Sequence, residues 1–386
     1  MVLDYEGRLS IHDPVKKYLP QFSLKDSSIF PDVENFITLE QLLNHTSGIS
    51  NRGIPGITMG EASLEDELLK INNARLVSIP GQKYEYCNAN YRLLGLVIEK
   101  VSGKSYGSFI NEIIFTPLSM NHSFSDPEEA PNLIDGYGQL FEFPIKRKQR
   151  FYQGAVPSGY LISSVSDISI FLMEELRASL GKQSVFPKDL INATFVVPEG
   201  IKSNYAKGWL KKVDNNGNII YTNTGSLENF QSFFYLDPSS NIGFVFMMNQ
   251  GGLFPMNSIS IISDGLIKLT NGNEVIYNAN KSTMIVTIIL PLVVLLFQCF
   301  SFFQLLIWKK NITKRKIWTR ISIGLNIFWV IFFLFLLIPL MNVIIGETAS
   351  LRVWSNTLPE LLVIISIIVL SNIIRTAMKI KYLIKQ

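Results

Sequence analysis

The chain is poor in the residues that build metal centres and disulfide frameworks. Its 386 residues include 2 cysteines and 3 histidines. Cys87 and Cys299 cannot make a disulfide framework, and no Cys/His spacing matches a zinc site. His12, His45 and His122 are too few to suggest a histidine-based metal centre, and no organic cofactor is implied. Charge is also scarce: 17% of the residues are charged and 47% are hydrophobic. This balance excludes a disordered chain, a collagen-like repeat and a coiled coil. There is no internal repeat and no low-complexity linker.

What charge there is divides unevenly. Residues 281–386 carry 12 Lys and Arg against 2 acidic residues, leaving 23 against 29 in residues 1–280. The net +4 of the whole chain is therefore a property of its tail. A nucleic-acid partner inferred from overall basicity would be a mistake.

The tail reads as a membrane domain over 280–386. Ser282 to Trp308 and Ile321 to Gly346 contain no charged side chain. At ~1.5 Å per residue each spans a ~30 Å hydrocarbon core. A third segment, Val353 to Ile374, holds Glu360 near one end and is expected to span as well, giving about three spans. The short loop from Trp308 to Trp318 carries Lys309, Lys310, Lys314, Arg315 and Lys316. Such a loop belongs in the cytoplasm, as does the basic C-terminus with Arg375, Lys379, Lys381 and Lys385. Residues 1–280 are then expected to be extracytoplasmic on a multi-pass cell-membrane protein, with the lipid bilayer as one partner. Met1-Val-Leu-Asp-Tyr-Glu-Gly7 has no basic and apolar export signal, so the chain is expected to begin downstream of a natural start.

The first 279 residues read as one α+β domain with a helical lobe. Thr38 and Gln41 make a capping-box pattern ahead of Leu39, Leu42 and Leu43. Tyr91, Leu94, Ile98 and Val101 recur at helical spacing, with Gly103 as the left-handed stop. A third helix is expected from Ser166-Asp167 to just before Gly181. Beyond Gly208 the period changes to that of strands. Trp209–Val213 and Ile219–Thr222 flank Asn216-Gly217 as a hairpin, and Gln231–Leu236 and Ile242–Met248 flank a turn at Asp237–Asn241. Consecutive strands of this kind make an antiparallel meander.

Three short segments could carry chemistry. Leu42-Leu-Asn-His45-Thr-Ser-Gly48 is a helix end with Gly48 as its cap, and on its own His45 reads as structural. Pro80-Gly81 leads to Tyr86-Cys-Asn88 at the mouth of a helix. Asn223-Thr224-Gly225 lies on a strand, where the glycine alone would mean only a bulge or an edge.

Taken together and in order, these segments resemble the class C β-lactamase and serine penicillin-binding-protein-like family. Glu6-Gly-Arg-Leu9 through Val15, Leu94–Gly103, Pro117–Met120, Ser158-Gly-Tyr160, Gly208-Trp209, Leu236-Asp-Pro238 and Asn249 extend the resemblance over nearly all of 1–250. It implies a β-lactamase/transpeptidase-like antiparallel sheet flanked by helices. It also implies an acyl-enzyme formed on a serine that opens a helix as Ser-x-x-Lys, with the lysine one turn on taking its proton. By the same resemblance Tyr86 takes the proton-shuttling role and Asn88 holds the substrate amide. Asn223, Thr224 and Gly225 line the substrate-binding strand.

Two departures qualify that expectation. The sole Ser-x-x-Lys is Ser179-Leu-Gly-Lys182, at a helix end with Gly181 inside it, whereas the chemistry needs the serine at a helix start. The second departure is Asn223, where the family usually has Lys or His. Asparagine donates a hydrogen bond without charge, so a substrate carboxylate loses a charge-assisted bond of roughly 1.5–3 kcal/mol. A free tyrosine has a pKa near ~10, so Tyr86 without neighbouring cations is a poor base. The expectation is a membrane-anchored hydrolase-family protein (penicillin-binding-like, an esterase or a D-amino-acid peptidase) whose nucleophile is absent from these residues. Two alternatives stand beside it. One is a catalytically dead envelope protein binding peptidoglycan fragments or a partner. The other, a transporter or sensor, is disfavoured because the two long apolar runs carry no charge. Substrate identity and oligomeric state stay open.

Overall fold

The structure is a computed structural model that describes all residues except 26–31, 55–61, 141–142, 215–216, 252, 276–288, 309–315, 338, 341–358 and 385–386. Two parts make up the residues before the apolar C-terminal helices: a helical lobe and a sheet. The lobe takes α1 (Val2–Tyr5), α2 (Val15–Tyr18), α3 (Leu39–Leu43), α4 (Leu64–Ile71), α5 (Asn88–Ser102) and α6 (Tyr106–Ile110). Helix α3 starts where its capping box dictates: Gln41 N–H donates to Thr38 Oγ1 at 3.2 Å and Thr38 N–H to Gln41 Oε1 at 3.0 Å. Helix α5 stops at Gly103, whose φ of +73° suits a residue without Cβ. Leu39, Leu42, Leu68, Leu93 and Leu96 are buried together with Phe22 and Ile49 as the lobe core. Each such side chain contributes about 1.5–3 kcal/mol when fully buried.

A small antiparallel pair, β1 (Gly136–Leu140) and β2 (Phe143–Arg147), precedes α7 (Val165–Ser179) and α8 (Lys188–Thr194). Next comes the expected meander: β3 (Tyr205–Ala206), β4 (Trp209–Val213), β5 (Ile219–Ser226), β6 (Gln231–Asp237) and β7 (Ile242–Met248). It forms one antiparallel sheet in sequence order. Helix α7 covers one face, where Leu172 and Leu176 meet Trp209, Tyr221 and Leu236. Helix α9 (Leu253–Thr270) covers the other with Ile259 beside Phe233 and Tyr235. The hairpin turn expected at Asn216 falls outside the described residues, although Gly217 has a φ of +84°. Helix α7 begins one residue before the expected Ser166, capped by Ser164, whose Oγ accepts from Asp167 N–H.

Among the described residues three α-helices follow: α10 (Leu290–Trp308), α11 (Lys316–Ile331) and α12 (Pro359–Ile384). Among the described residues two helical stretches are long and apolar enough to cross a membrane, Ile317–Leu336 and Pro359–Ile384. The expected count of about three is corrected to two. Most of Ser282–Leu290 lies outside the described residues, and the apolar helix that remains of the first run, Pro291–Leu305, is shorter. The basic loop at 309–315 and the segment 341–358 lie outside the described residues too, so the orientation read from them is not visible in the fold.

Candidate functional site

The site is built where the lobe meets the sheet, around the segment from Asn44 to Asn51. Helix α3 ends at Leu43 with Asn44 as its cap, so Gly48 is not the cap expected from the sequence. His45 itself takes a left-handed φ of +56°. Gly48 serves another purpose: a Cβ there would lie 2.2 Å from the Ser78 carbonyl oxygen. The glycine lets the two segments close up, and Val77 N–H donates to Gly48 C=O at 2.9 Å.

This approach seats the 84–91 segment over His45. Glu85 N–H donates to the His45 carbonyl at 2.8 Å. Cys87 N–H donates to His45 Nδ1 at 3.3 Å. Asn90 Nδ2 lies 3.1 Å from the same nitrogen, while Asn90 Oδ1 accepts from Ser47 Oγ at 2.8 Å. The serine fixes which way the amide faces, so Nδ1 of His45 is an acceptor and the ring proton sits on Nε2. Burial holds the imidazole pKa down to about 3, leaving it neutral across the physiological range. Its Nε2 is buried with no hydrogen-bond partner.

Four tyrosines surround this ring. Tyr86 is centred 4.4 Å from it, Tyr205 4.8 Å, Tyr91 5.2 Å and Tyr84 6.1 Å. Tyr91 Oη donates to the Leu43 carbonyl at 3.1 Å and lies 3.4 Å from Tyr205 Oη. Desolvation pushes all four phenols above their usual range.

Of the residues expected to act, Tyr86 and Asn88 are brought together: Tyr86 Oη donates to Asn88 Oδ1 at 3.2 Å. Tyr86 is 49% exposed, so the pair opens to solvent. Asn88 N–H in turn donates to Asn51 Oδ1 at 3.2 Å. Among the described residues no hydrogen bond joins Asn223, Thr224 or Gly225 to that pair. Asn223 Nδ2 donates to the Gly208 carbonyl instead. Thr224 and Gly225 are exposed at the end of β5. The link between the two walls is indirect: Lys207 N–H, next to Gly208, donates to Asn44 Oδ1 at 3.3 Å. Asn44 precedes His45, whose ring packs on Tyr86.

Sequence reasoning passed over Tyr84, Tyr91, Tyr205 and Lys207, and left His45 as structural. The density of tyrosines around Tyr84-Glu-Tyr86 and Tyr91 was the available signal. Lys207 had none, since its left-handed φ of +47° and its buried side chain facing Glu40 depend on the turn between β3 and β4. Ser179 behaves as a helix-end residue: it closes α7 and its Oγ donates to the Leu176 carbonyl at 2.8 Å. Cys87 is no substitute nucleophile, because burial pushes its thiol up to about 12. The walls therefore offer hydrogen-bond donors and acceptors with protonated phenols and a neutral imidazole. Among the described residues no group of three or more His, Cys, Asp or Glu could hold a metal ion.

A family model described as Beta-lactamase matches residues 1–259. The protein flp of Staphylococcus aureus (strain MW2) is 28% identical over 309 residues, covering 78% of this chain and 61% of its own length. The chain thus spans about six tenths of the relative it matches. An octameric penicillin-binding protein homologue from Pyrococcus abyssi superposes with a TM-score of 0.57 at 27% identity, covering 70% of this chain and 62% of that one. FmtA from Staphylococcus aureus shares the fold with a TM-score of 0.54 at 22% identity, covering 68% of each chain.

Proposed function

The chain belongs to the β-lactamase family, and from that premise we propose that residues 1–279 form a membrane-anchored, extracytoplasmic ligand-binding domain of the serine-hydrolase type. The ligand class is an acyl compound of the kind such hydrolases cleave: an ester, an amide or a peptidoglycan-derived peptide ending in a D-amino acid. Tyr86 and Asn88 present the donor and acceptor for its amide, and the β5 edge at Asn223–Gly225 flanks it. These 386 residues on their own turn nothing over, because no serine in them stands at a helix start with a lysine one turn on.

One observation carries this reading. The paired Tyr86–Asn88 wall is formed and open to solvent, yet burial favours the protonated form of the tyrosines and of Cys87 beside it and keeps His45 neutral. A phenol that donates to Asn88 is a binding group and not a base. On strand β5 Asn223 brings no charge, and its amide is already engaged by the Gly208 carbonyl. A ligand carboxylate gains little there, so amidated peptides and esters suit the site better than free acids.

Intact-mass analysis of the full chain after exposure to a fluorescent penicillin and to a fluorophosphonate tests the turnover claim. The expected result is no covalent adduct, and an adduct on any serine overturns it. Calorimetric titration with an acylated D-alanyl-D-alanine peptide and its C-terminal amide tests the binding claim. Comparable or tighter binding of the amide is expected. Strong preference for the free carboxylate, or no binding of either, refutes the assigned ligand class.

A further inference from the structure

Away from this site, polar side chains gather inside the otherwise apolar helices α10–α12. Arg375 and Lys379 lie one turn apart on the same face of α12. Arg375 Nη2 donates to Gln298 Oε1 of α10 at 2.9 Å and to Asn372 Oδ1 at 2.8 Å, and its Nε to the Ser371 carbonyl at 3.3 Å. Lys379 Nζ donates to Ser322 Oγ of α11 at 2.5 Å. Gln298, Asn372 and Lys379 are 8%, 5% and 5% exposed, so the cluster faces the other helices and not the outside.

Three features of this cluster point to a ligand. Each hydrogen-bond acceptor that holds Arg375 is a neutral amide or carbonyl, so its charge is solvated by dipoles and matched by no carboxylate among these contacts. Asn326, one turn on from Ser322, is 8% exposed and its Nδ2 has no hydrogen-bond partner. Ser322 is the residue that Lys379 holds, so the unused donor of Asn326 lies one turn from a contact between α11 and α12. The third feature is depth. Arg375 and Lys379 lie about 24 Å and about 30 Å along α12 from Pro359, and Ser322 only about 9 Å from the start of α11. All three therefore stand near one membrane face, where lipid headgroups begin.

We propose that this cluster is a binding site for the phosphate of an anionic phospholipid, taken between α10, α11 and α12. Arg375 and Lys379 supply the charge, and Asn326 Nδ2 supplies a further donor to a phosphate oxygen. Arg375 is half-exposed, which leaves a lateral way in from the bilayer. The assignment rests on the membrane-anchoring part of the proposed function, and the two fail differently.

The test uses the full chain in nanodiscs of equal phosphatidylglycerol and phosphatidylcholine, with native mass spectrometry of the lipid retained after release. Alkaline carbonate extraction of membranes comes first, and a chain that washes off refutes the anchoring and the site together. For an integrated chain, phosphatidylglycerol should be retained roughly tenfold over phosphatidylcholine. Arg375→Gln with Lys379→Gln should bring that ratio near unity. Arg320→Gln, which removes an exposed charge from α11, should leave it unchanged. Equal retention by the unaltered chain, or a preference that survives the double change, refutes the site alone. Should the double variant aggregate, Arg375→Lys and Asn326→Ala decide: the first should keep the preference and the second weaken it, and the reverse pattern sinks the proposal. Loss of the preference on adding inorganic phosphate would assign the site to the free anion instead of the lipid.

Discussion

Two arginines set among packed helices, one buried and one half-exposed, show how differently the two regions treat a charge. Arg92 of α5, 3% exposed, meets Glu67 of α4 at 2.7 Å, and its Nε donates to Ser158 Oγ at 3.2 Å. The helical lobe thus carries the counter-charge on its own neighbouring helix. Arg375 is held by amides and a carbonyl. A soluble core must settle its charges internally, because only folding brings a partner. A helix bundle in a bilayer has charged headgroups beside it and can leave a cation for them. The first arginine therefore reports on the fold, and under the proposed anchoring the second reports on the surroundings.

The largest effect should come from breaking the first pair. Glu67→Ala leaves the Arg92 guanidinium buried without its carboxylate and should cost about 3–5 kcal/mol of stability. Urea unfolding of the full chain in micelles, followed by near-ultraviolet circular dichroism, measures it. Replacing both partners together, Arg92→Met with Glu67→Leu, should recover most of that loss. A small effect of the single change would show that the pair is not desolvated.

Glu175 sharpens the comparison from the acidic side. It sits under the sheet, where the Trp209 side chain donates to it and Oε2 has no partner. Without a cation, burial raises its carboxyl from 4.5 to about 8. The folded state then binds a proton that the unfolded state has released between those two values, so stability must fall as pH rises through that window. The fall is on the order of a few kcal/mol. Glu175→Gln should flatten the pH profile of the unfolding midpoint over this range, and an unchanged slope would assign the effect to another group.

Arg375 should respond oppositely to Arg92. In zwitterionic micelles Arg375→Gln should change thermal stability by only ~0–1 kcal/mol, since no carboxylate contact is lost. A loss comparable to that of Glu67→Ala would erase the distinction between the two regions.

Much of the scaffold was legible because it is encoded locally. The Thr38–Gln41 box, the stop at Gly103 and the strands between Trp209 and Met248 all depend on neighbours within one turn or one hairpin. The β1–β2 pair went unread, with Pro144 inside the second strand masking its pattern. Site residues divide along the same line. Tyr86 and Asn88 meet because they are two residues apart at a helix mouth. The attachment of Asn223 to Gly208 requires β4 and β5 to pair in register, with Leu210 opposite Thr222. Nor could spacing foresee that His45 turns left-handed, or that Gly48 is needed for the Ser78 carbonyl. Such facts arise only when segments far apart in the chain close on one another.

Tyr86→Phe should give the smallest effect on the fold and a clear one on binding. The lost hydrogen bond to Asn88 is half-exposed and worth about 0.5 kcal/mol or less, because water replaces it on both partners. Its ring stays centred on His45, so the neutral imidazole and its bonds to Cys87 and Asn90 should persist. What disappears is the hydroxyl of the pair, leaving the Asn88 amide as the donor to a ligand carbonyl. Calorimetry with the amidated D-alanyl peptide should then show binding weakened by roughly 5–10-fold, the share of a single hydrogen bond. If affinity is unchanged while stability drops, the hydroxyl serves the fold and the ligand lies elsewhere. If affinity falls and stability holds, Tyr86 is a binding group mounted on a scaffold that does not need it.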